Sequence, residues 1–218
     1  MMDGPRWLAD PPTDEVVVED LDLEDAPVSD EDLQAVTVGE LVVHRATIFL
    51  ADPDPEWPRL FERVATHIRA TLGDRVRRLE HCGSTSVPGL AAKPVIDIVL
   101  AVADSSDEPA YVPDMEAVGY VLRIREPDWF EHRLFKGPDT DVNLHTFTEG
   151  CLEIDRMLAF RDWLRTHEDE RGLYERTKRD LAAREWRFVQ HYADAKSEVV
   201  EGILARAAIV PATAGERP

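Results

Sequence analysis

The chain has 218 residues, 44% of them hydrophobic and 32% charged, enough for one domain with a sizeable core, and this excludes wholesale disorder. A net charge of −19 excludes a broad nucleic-acid-binding surface, because duplex binding rests on clustered Lys and Arg that neutralise phosphates. No run approaches the roughly 18 apolar residues of a membrane span, and residues 1–10 lack the basic start and apolar stretch of a signal peptide, so no membrane contact and a cytoplasmic location are expected.

Residues 1–45 hold about 13 acidic and 2 basic side chains, so about −11 of the charge sits there and a local phosphate site further on is not excluded. Residues 1–27 are acidic and proline-bearing without periodicity, and read as a largely disordered extension to a domain over 28–208, with a tail at 209–218. Ser29 offers an N-cap to a short helix with an acidic first turn. The β-branched residues of 42–50 predict a strand, ended by Pro53 and Pro55. A helix follows over 58–72 with Leu60, Phe61, Val64, His67, Ile68 and Leu72 along one stripe.

Residues 76–81 read as a strand, 83–94 as a loop, and 95–102 as a strand apolar on both faces and therefore central. A helix around 113–118 precedes strands near 120–124 and 130–135. The stretch 141–147 alternates Val142, Leu144 and Thr146 against Asn143, His145 and Phe147. Helices are predicted over 153–166, 169–185 and 188–207, with a frayed tail from Arg206. Cys82 and Cys151 have no metal-ligand spacing and read as reduced core thiols.

The segment HCGSTSVPGLAAKPVIDIVLAV carries the chemistry. Gly83 permits close backbone approach, Ser84 and Thr85 can grip phosphate oxygens with neighbouring N–H groups, and Lys93 adds a point charge to the same anion. Asp97 lies inside an otherwise apolar strand, where a carboxylate needs a metal, a cation or several donors. A glycine and serine followed about a dozen residues later by an acidic strand resembles the nucleotidyltransferase superfamily, in which paired carboxylates hold Mg²⁺. The second acid is expected two residues beyond Asp97, and Val99 stands there. Help for Asp97 is expected from Asn143 and His145, which alternate onto one side of their strand, with Glu80 and His81 as further candidates. The alternative is structural: Ser84 and Asp97 satisfy backbone groups in a tight loop, Lys93 pairs with Asp97, and His132 or His145 completes a hydrogen-bond network.

Beyond this block, AVTVGEL, DPEWPRLF, EHRLFKGPDTDVNLHTF, FRDWL, YERTK and YADAKSEVVEGIL arrive in an order that resembles the GrpB family over about residues 30–207. That family also occurs as a carboxy-terminal domain of some dephospho-CoA kinases and is assigned to the nucleotidyltransferase-like fold. The resemblance implies an α/β (α+β) fold, a mixed sheet flanked by helices, with Ser84, Lys93 and Asp97 at one end and a carboxy-terminal helical segment closing over it. It places Arg161, Lys178 and Lys196 as positive charge for a polyphosphate and Tyr174 one helical turn from Lys178; Tyr174, together with His132 and Asn143 from the strand reading, is expected at the substrate. Pro53 departs from a position often aromatic in relatives. The expected activity is binding of a nucleoside triphosphate, with Mg²⁺ on Asp97, and transfer of a nucleotidyl group to a small acceptor activated by His145. Two other readings stand beside it: a non-catalytic nucleotide- or CoA-binding module, which Val99 favours, and a folding partner for another protein.

Overall fold

The computed structural model describes residues 29–41 and 47–209. The extension expected over 1–27 and most of the tail over 209–218 lie outside the described residues. Helix α1 (Asp30–Val36) begins where Ser29 Oγ accepts from the Asp32 amide at 3.1 Å. Of the strand expected over 42–50, residues 42–46 lie outside the described residues and 47–50 form no strand. Ile48 instead donates its amide to Ala182 and packs with Leu181 and Tyr192, so Ile48 covers a helix end rather than joining a strand. Ala51 alone pairs, with Ala92.

Helix α2 (Glu56–Leu72) starts two residues before the expected Pro58, because the Asp54 carboxylate accepts from the Glu56 amide at 2.8 Å. Strands β1 (Arg78–Cys82) and β2 (Ile96–Val102) follow, then α3 (Val112–Ala117), β3 (Val121–Glu126), β4 (His132–Lys136) and β5 (Val142–Thr148). The sheet runs β1-β2-β5-β4-β3, with β2 and β5 parallel and the other neighbours antiparallel. This is a mixed α/β architecture, and β2 is flanked on both sides as its two apolar faces require. Strand β4 begins two residues later than expected, since Phe130 and Glu131 take positive φ (53° and 50°) in the turn before it.

One face of the sheet presents Ile96, Ile98, Leu100, Leu144 and Phe135 to α2 and α3 and forms the largest core. The other face presents Cys82, Val99, Ala101 and Phe147 to α4 (Leu152–Thr166). Helix α5 (Glu168–Ala182) follows, and the single helix expected over 188–207 is two, α6 (Val189–Asp194) and α7 (Ser197–Ile209), broken at Ala195 and Lys196. At the break the Ala195 amide donates to His191 O and the Lys196 amide to Ala193 O, closing α6 before Lys196 O accepts from Val200 in α7. Helix α7 runs past Arg206, where fraying is expected. No helix among the described residues is long and apolar enough to cross a membrane.

His81 falls on the α2 face, stacked on Phe61 with ring centroids 4.8 Å apart, and is not part of the Asp97 face. Burial pulls its pKa down from 6.5 to about 4. The unfolded chain therefore binds an extra proton between those values, and stability falls as pH drops through that window. Replacing His81 with Gln should lessen the loss of urea-unfolding free energy between pH 7 and pH 4.5; an equal loss in both proteins would refute the assignment.

Candidate functional site

Strand β1 ends opposite Asp97, with Cys82 paired to it across the antiparallel ladder. The chain leaves through Gly83 at φ 65°, and a Cβ there would stand 2.3 Å from Asp97 Oδ2. Only glycine can pass the carboxylate in this conformation. The turn beyond is fixed from three sides. Ser86 Oγ donates to Gly83 O at 2.6 Å, Arg165 of α4 donates to Ser86 O at 2.8 Å, and Thr85 Oγ1 donates to Val95 O at 3.0 Å. Thr85, expected at the phosphate, has its side chain buried and bonded also to His81, where it braces the loop and does not line the cavity described next.

Above this end of the sheet lies a cavity of about 230 Å³. Its floor is Gly83, Ser84, Lys93, Asp97, Asn143 and His145, and α4, α5, α6 and α7 form its walls. Register explains the floor: Asp97 pairs with Asn143 and Val99 with His145, so period-2 alternation brings all four to one face. Asn143 Nδ2 donates to Asp97 Oδ1 at 2.7 Å, and its own Oδ1 accepts from Lys136 at 2.6 Å, which fixes the amide's orientation. His145 Nε2 lies 3.9 Å from Asp97 Oδ1. Burial alone would raise the Asp97 carboxyl, but the facing imidazole in its protonated form, the Asn143 amide and the Lys136 charge outweigh it and hold the pKa below the usual value.

His132 does not line the cavity. It is buried behind His145, with Nε2 3.1 Å from His145 Nδ1 and Nδ1 2.6 Å from Glu126 Oε2, so its expected substrate contact is corrected to support of His145. Burial lowers its pKa to about 4 against the opposing Glu126 hydrogen bond. Glu126 was not legible as a site residue, because its strand alternates weakly and a bulge at Arg123 shifts its register.

Arg161 lines the cavity, with four of its five N–H groups donating to Asp162 (2.7 and 3.0 Å), Glu80 (3.1 Å) and His81 O (2.8 Å). It clamps α4 to β1. The lysines differ. Lys178 is 2% exposed and donates to Ser84 Oγ at 3.0 Å and to Ala91 O, with its ammonium 4.8 Å from the Tyr174 ring centroid. Lys196 lies 4.6 Å over the Tyr192 ring, and Lys93 is half-buried at the floor. None of the three forms an ion pair among the described residues, so the pairing of Lys93 with Asp97 is absent there. Burial and then the Lys196 charge lower the Lys178 pKa to about 7; burial and then Lys136 lower that of Lys93. The upper wall is apolar, with Met157, Phe160, Leu164, Val200 and Leu204. These wall residues fall within the helices predicted over 153–166 and 188–207, with no site role expected of them.

The donor set fits a magnesium pair poorly. Asp97 has Val99 two residues on, Asn143 Oδ1 is engaged by Lys136, and no three His, Cys, Asp or Glu side chains among the described residues converge as metal ligands. Glu153, in the α4 wall, faces Arg156 at 3.4 Å.

Two outcomes are expected. Gly83→Ala, forced against Asp97 in a left-handed conformation, should lose about 1–3 kcal/mol in urea unfolding; a loss near zero would contradict the close approach. Lys178 binds its proton less readily folded (about 7) than unfolded (10.5), so stability rises with pH across that interval. Measured relative to Lys178→Met, wild-type stability should rise by roughly 1.4 kcal/mol per unit between about pH 7 and 9, and a flat difference would show Lys178 to be solvated.

The family model described as GrpB protein matches residues 47–206. A UPF0157 protein of Halalkalibacterium halodurans is 64% identical over 83% of this chain and 93% of that one, and one of Streptomyces coelicolor is 46% identical over 73% and 84%. A dephospho-CoA kinase of Mycolicibacterium paratuberculosis is 29% identical over 65% of this chain and only 41% of that protein. The crystal structure of conserved protein GrpB from Enterococcus faecalis superposes with a TM-score of 0.64 at 27% identity, covering 73% of this chain and 96% of that one. The matched span contains the whole sheet and nearly all of the cavity-lining helices, and the chain belongs to the GrpB family.

Proposed function

We propose that the cavity binds a phosphate-bearing small molecule, a nucleotide or a CoA-like ligand. The observation that supports this reading is the set Lys178, Lys196 and Lys93 lining one cavity with Ser84, none of them in a carboxylate ion pair among the described residues. Burying an ammonium is costly unless it meets an anion, and a phosphate at the Gly83-Ser84 turn supplies one. Ser84 Oγ and Lys178 Nζ grip its oxygens, Lys196 and Lys93 balance the remaining charge, and the apolar wall takes a base or an acyl-like arm. With lysines supplying the positive charge and one carboxylate on the floor, binding proceeds without Mg²⁺.

Nucleotidyl transfer to an acceptor hydroxyl is the second reading, favoured by His145 Nε2 reaching the cavity beside Asp97. The nucleotidyltransferase-like relation of the fold makes it a candidate, and fold alone does not establish chemistry. The resemblance to dephospho-CoA kinases adds CoA and dephospho-CoA to the ligands worth testing.

The test is the melting temperature against nucleoside mono-, di- and triphosphates, CoA and dephospho-CoA, with Mg²⁺ and with EDTA. A ligand at about 100 times its dissociation constant adds roughly 2.7 kcal/mol, about 5–11 °C for a chain of this size. The expected result is a shift that survives EDTA and is lost in Lys178→Met. A shift that requires Mg²⁺ and vanishes in Asp97→Asn would favour the transferase, and no shift with any phosphate compound would sink both readings.

A further inference from the structure

The polar groups behind the cavity floor form a chain with a direction. Glu126 Oε2 stands 2.6 Å from His132 Nδ1, His132 Nε2 stands 3.1 Å from His145 Nδ1, and His145 Nε2 faces Asp97 Oδ1 at 3.9 Å. Each neutral imidazole donates from one nitrogen and accepts at the other. The Glu126 carboxylate can only accept, so His132 donates from Nδ1 and accepts at Nε2. His145 must then donate from Nδ1, which leaves a lone pair on Nε2. A charged His132 would reverse the second link, but its ring is 3% exposed, stacked on Phe147 at 4.8 Å and met edge-on by Trp129 at 5.1 Å, a setting that disfavours an imidazolium.

At 3.9 Å His145 Nε2 makes no hydrogen bond to Asp97 Oδ1, so that nitrogen is left uncommitted at the floor. Both acceptors line the cavity.

We infer that Glu126 and His132 are positioning residues that fix His145 as its Nδ1–H tautomer, so that the cavity floor receives a hydrogen from an O–H group at His145 Nε2 beside Asp97. The group is a bound water or a hydroxyl of the ligand. When Nε2 takes that proton, the O–H bond breaks, the electron pair remains on the oxygen, and the imidazolium formed lies between His132 and the Asp97 carboxylate. The tautomer itself is independent of the ligand. The role given to the O–H group rests on the cavity being a ligand site, as proposed above.

Long-range ¹H–¹⁵N correlation of the imidazole rings in the full ¹⁵N-labelled chain near pH 7.5 tests it, with assignments from His132→Phe and His145→Gln. Wild type should show Nε2 of both His132 and His145 unprotonated, the tautomer that free histidine in water disfavours. His132→Phe keeps the ring stack and removes the acceptor, so His145 should revert toward Nε2–H. Glu126→Gln, a milder change, should leave His132 divided between tautomers, which keeps the test decisive if the first variant does not fold. A protonated Nε2 on His145 in wild type, or a His145 signal indifferent to both variants, would overturn the inference. Adding ATP then distinguishes the source of the O–H: a displaced Nε2 resonance marks a ligand hydroxyl, an unmoved one a water. Failure of every nucleotide and of CoA and dephospho-CoA to bind would refute the ligand site and leave the tautomer standing.

Discussion

The contact between Gly83 and the Asp97 carboxylate governs the site. Strand β1 must end where Asp97 rises from β2, and the chain can pass only because residue 83 has no Cβ and takes φ 65°. That crossing throws Ser84 over the strand end, within 3.0 Å of Lys178 on a helix 94 residues further along. The same crossing covers one side of the carboxylate, so Asp97 turns its remaining interactions toward Asn143 and His145 on β5. Two arginines of α4 hold the arrangement, Arg161 through β1 and Arg165 through the turn. Their planar, multiply donating heads suit this bracing better than a lysine would.

The electrostatics of the chain are divided by distance. A net charge of −19 repels an anion far away, yet the cavity concentrates lysines without acid partners among the described residues. At physiological salt the screening length is about 8 Å, so remote acids count for little at a partly enclosed pocket while contacts inside it are hardly screened. The acidic chain thus gives solubility, and a buried lysine retains a local preference for anions. Low affinity for bulk polyanions is compatible with a site for one phosphate group.

Much of this was legible in the sequence because two periodicities held. Apolar residues on both faces of 95–102 announced a central strand, and alternation in 141–147 placed Asn143 and His145 on one side with Asp97. The glycine-serine pair before an acidic strand marked the end of the sheet where the cavity lies. What stayed hidden depended on contacts that spacing does not encode. Arg161 sits at a helical position suited to a ligand, but only the fold shows four of its donors engaged by Glu80, His81 and Asp162. His132 follows a turn with two positive-φ residues that are not glycine, so its face could not be read from alternation. Ile48, within a run of strand composition, meets a helix end instead of a partner strand.

The break between α6 and α7 escaped for a different reason. Val189, Ala193, Lys196, Val200 and Leu204 keep helical spacing straight through it, and all five line the cavity. A straight helix with that stripe would touch the pocket along a line. Bending at Ala195 and Lys196, where the Lys196 amide closes back on Ala193 O and its carbonyl starts the next helix by accepting from Val200, lets the same stripe wrap the opening. The bend falls at the stripe's single charged residue, and Lys196 there stacks on Tyr192 rather than pairing with an acid among the described residues. Periodicity therefore specifies which residues face the pocket, whereas the backbone turn at Ala195 and Lys196 ends one helix and starts the next.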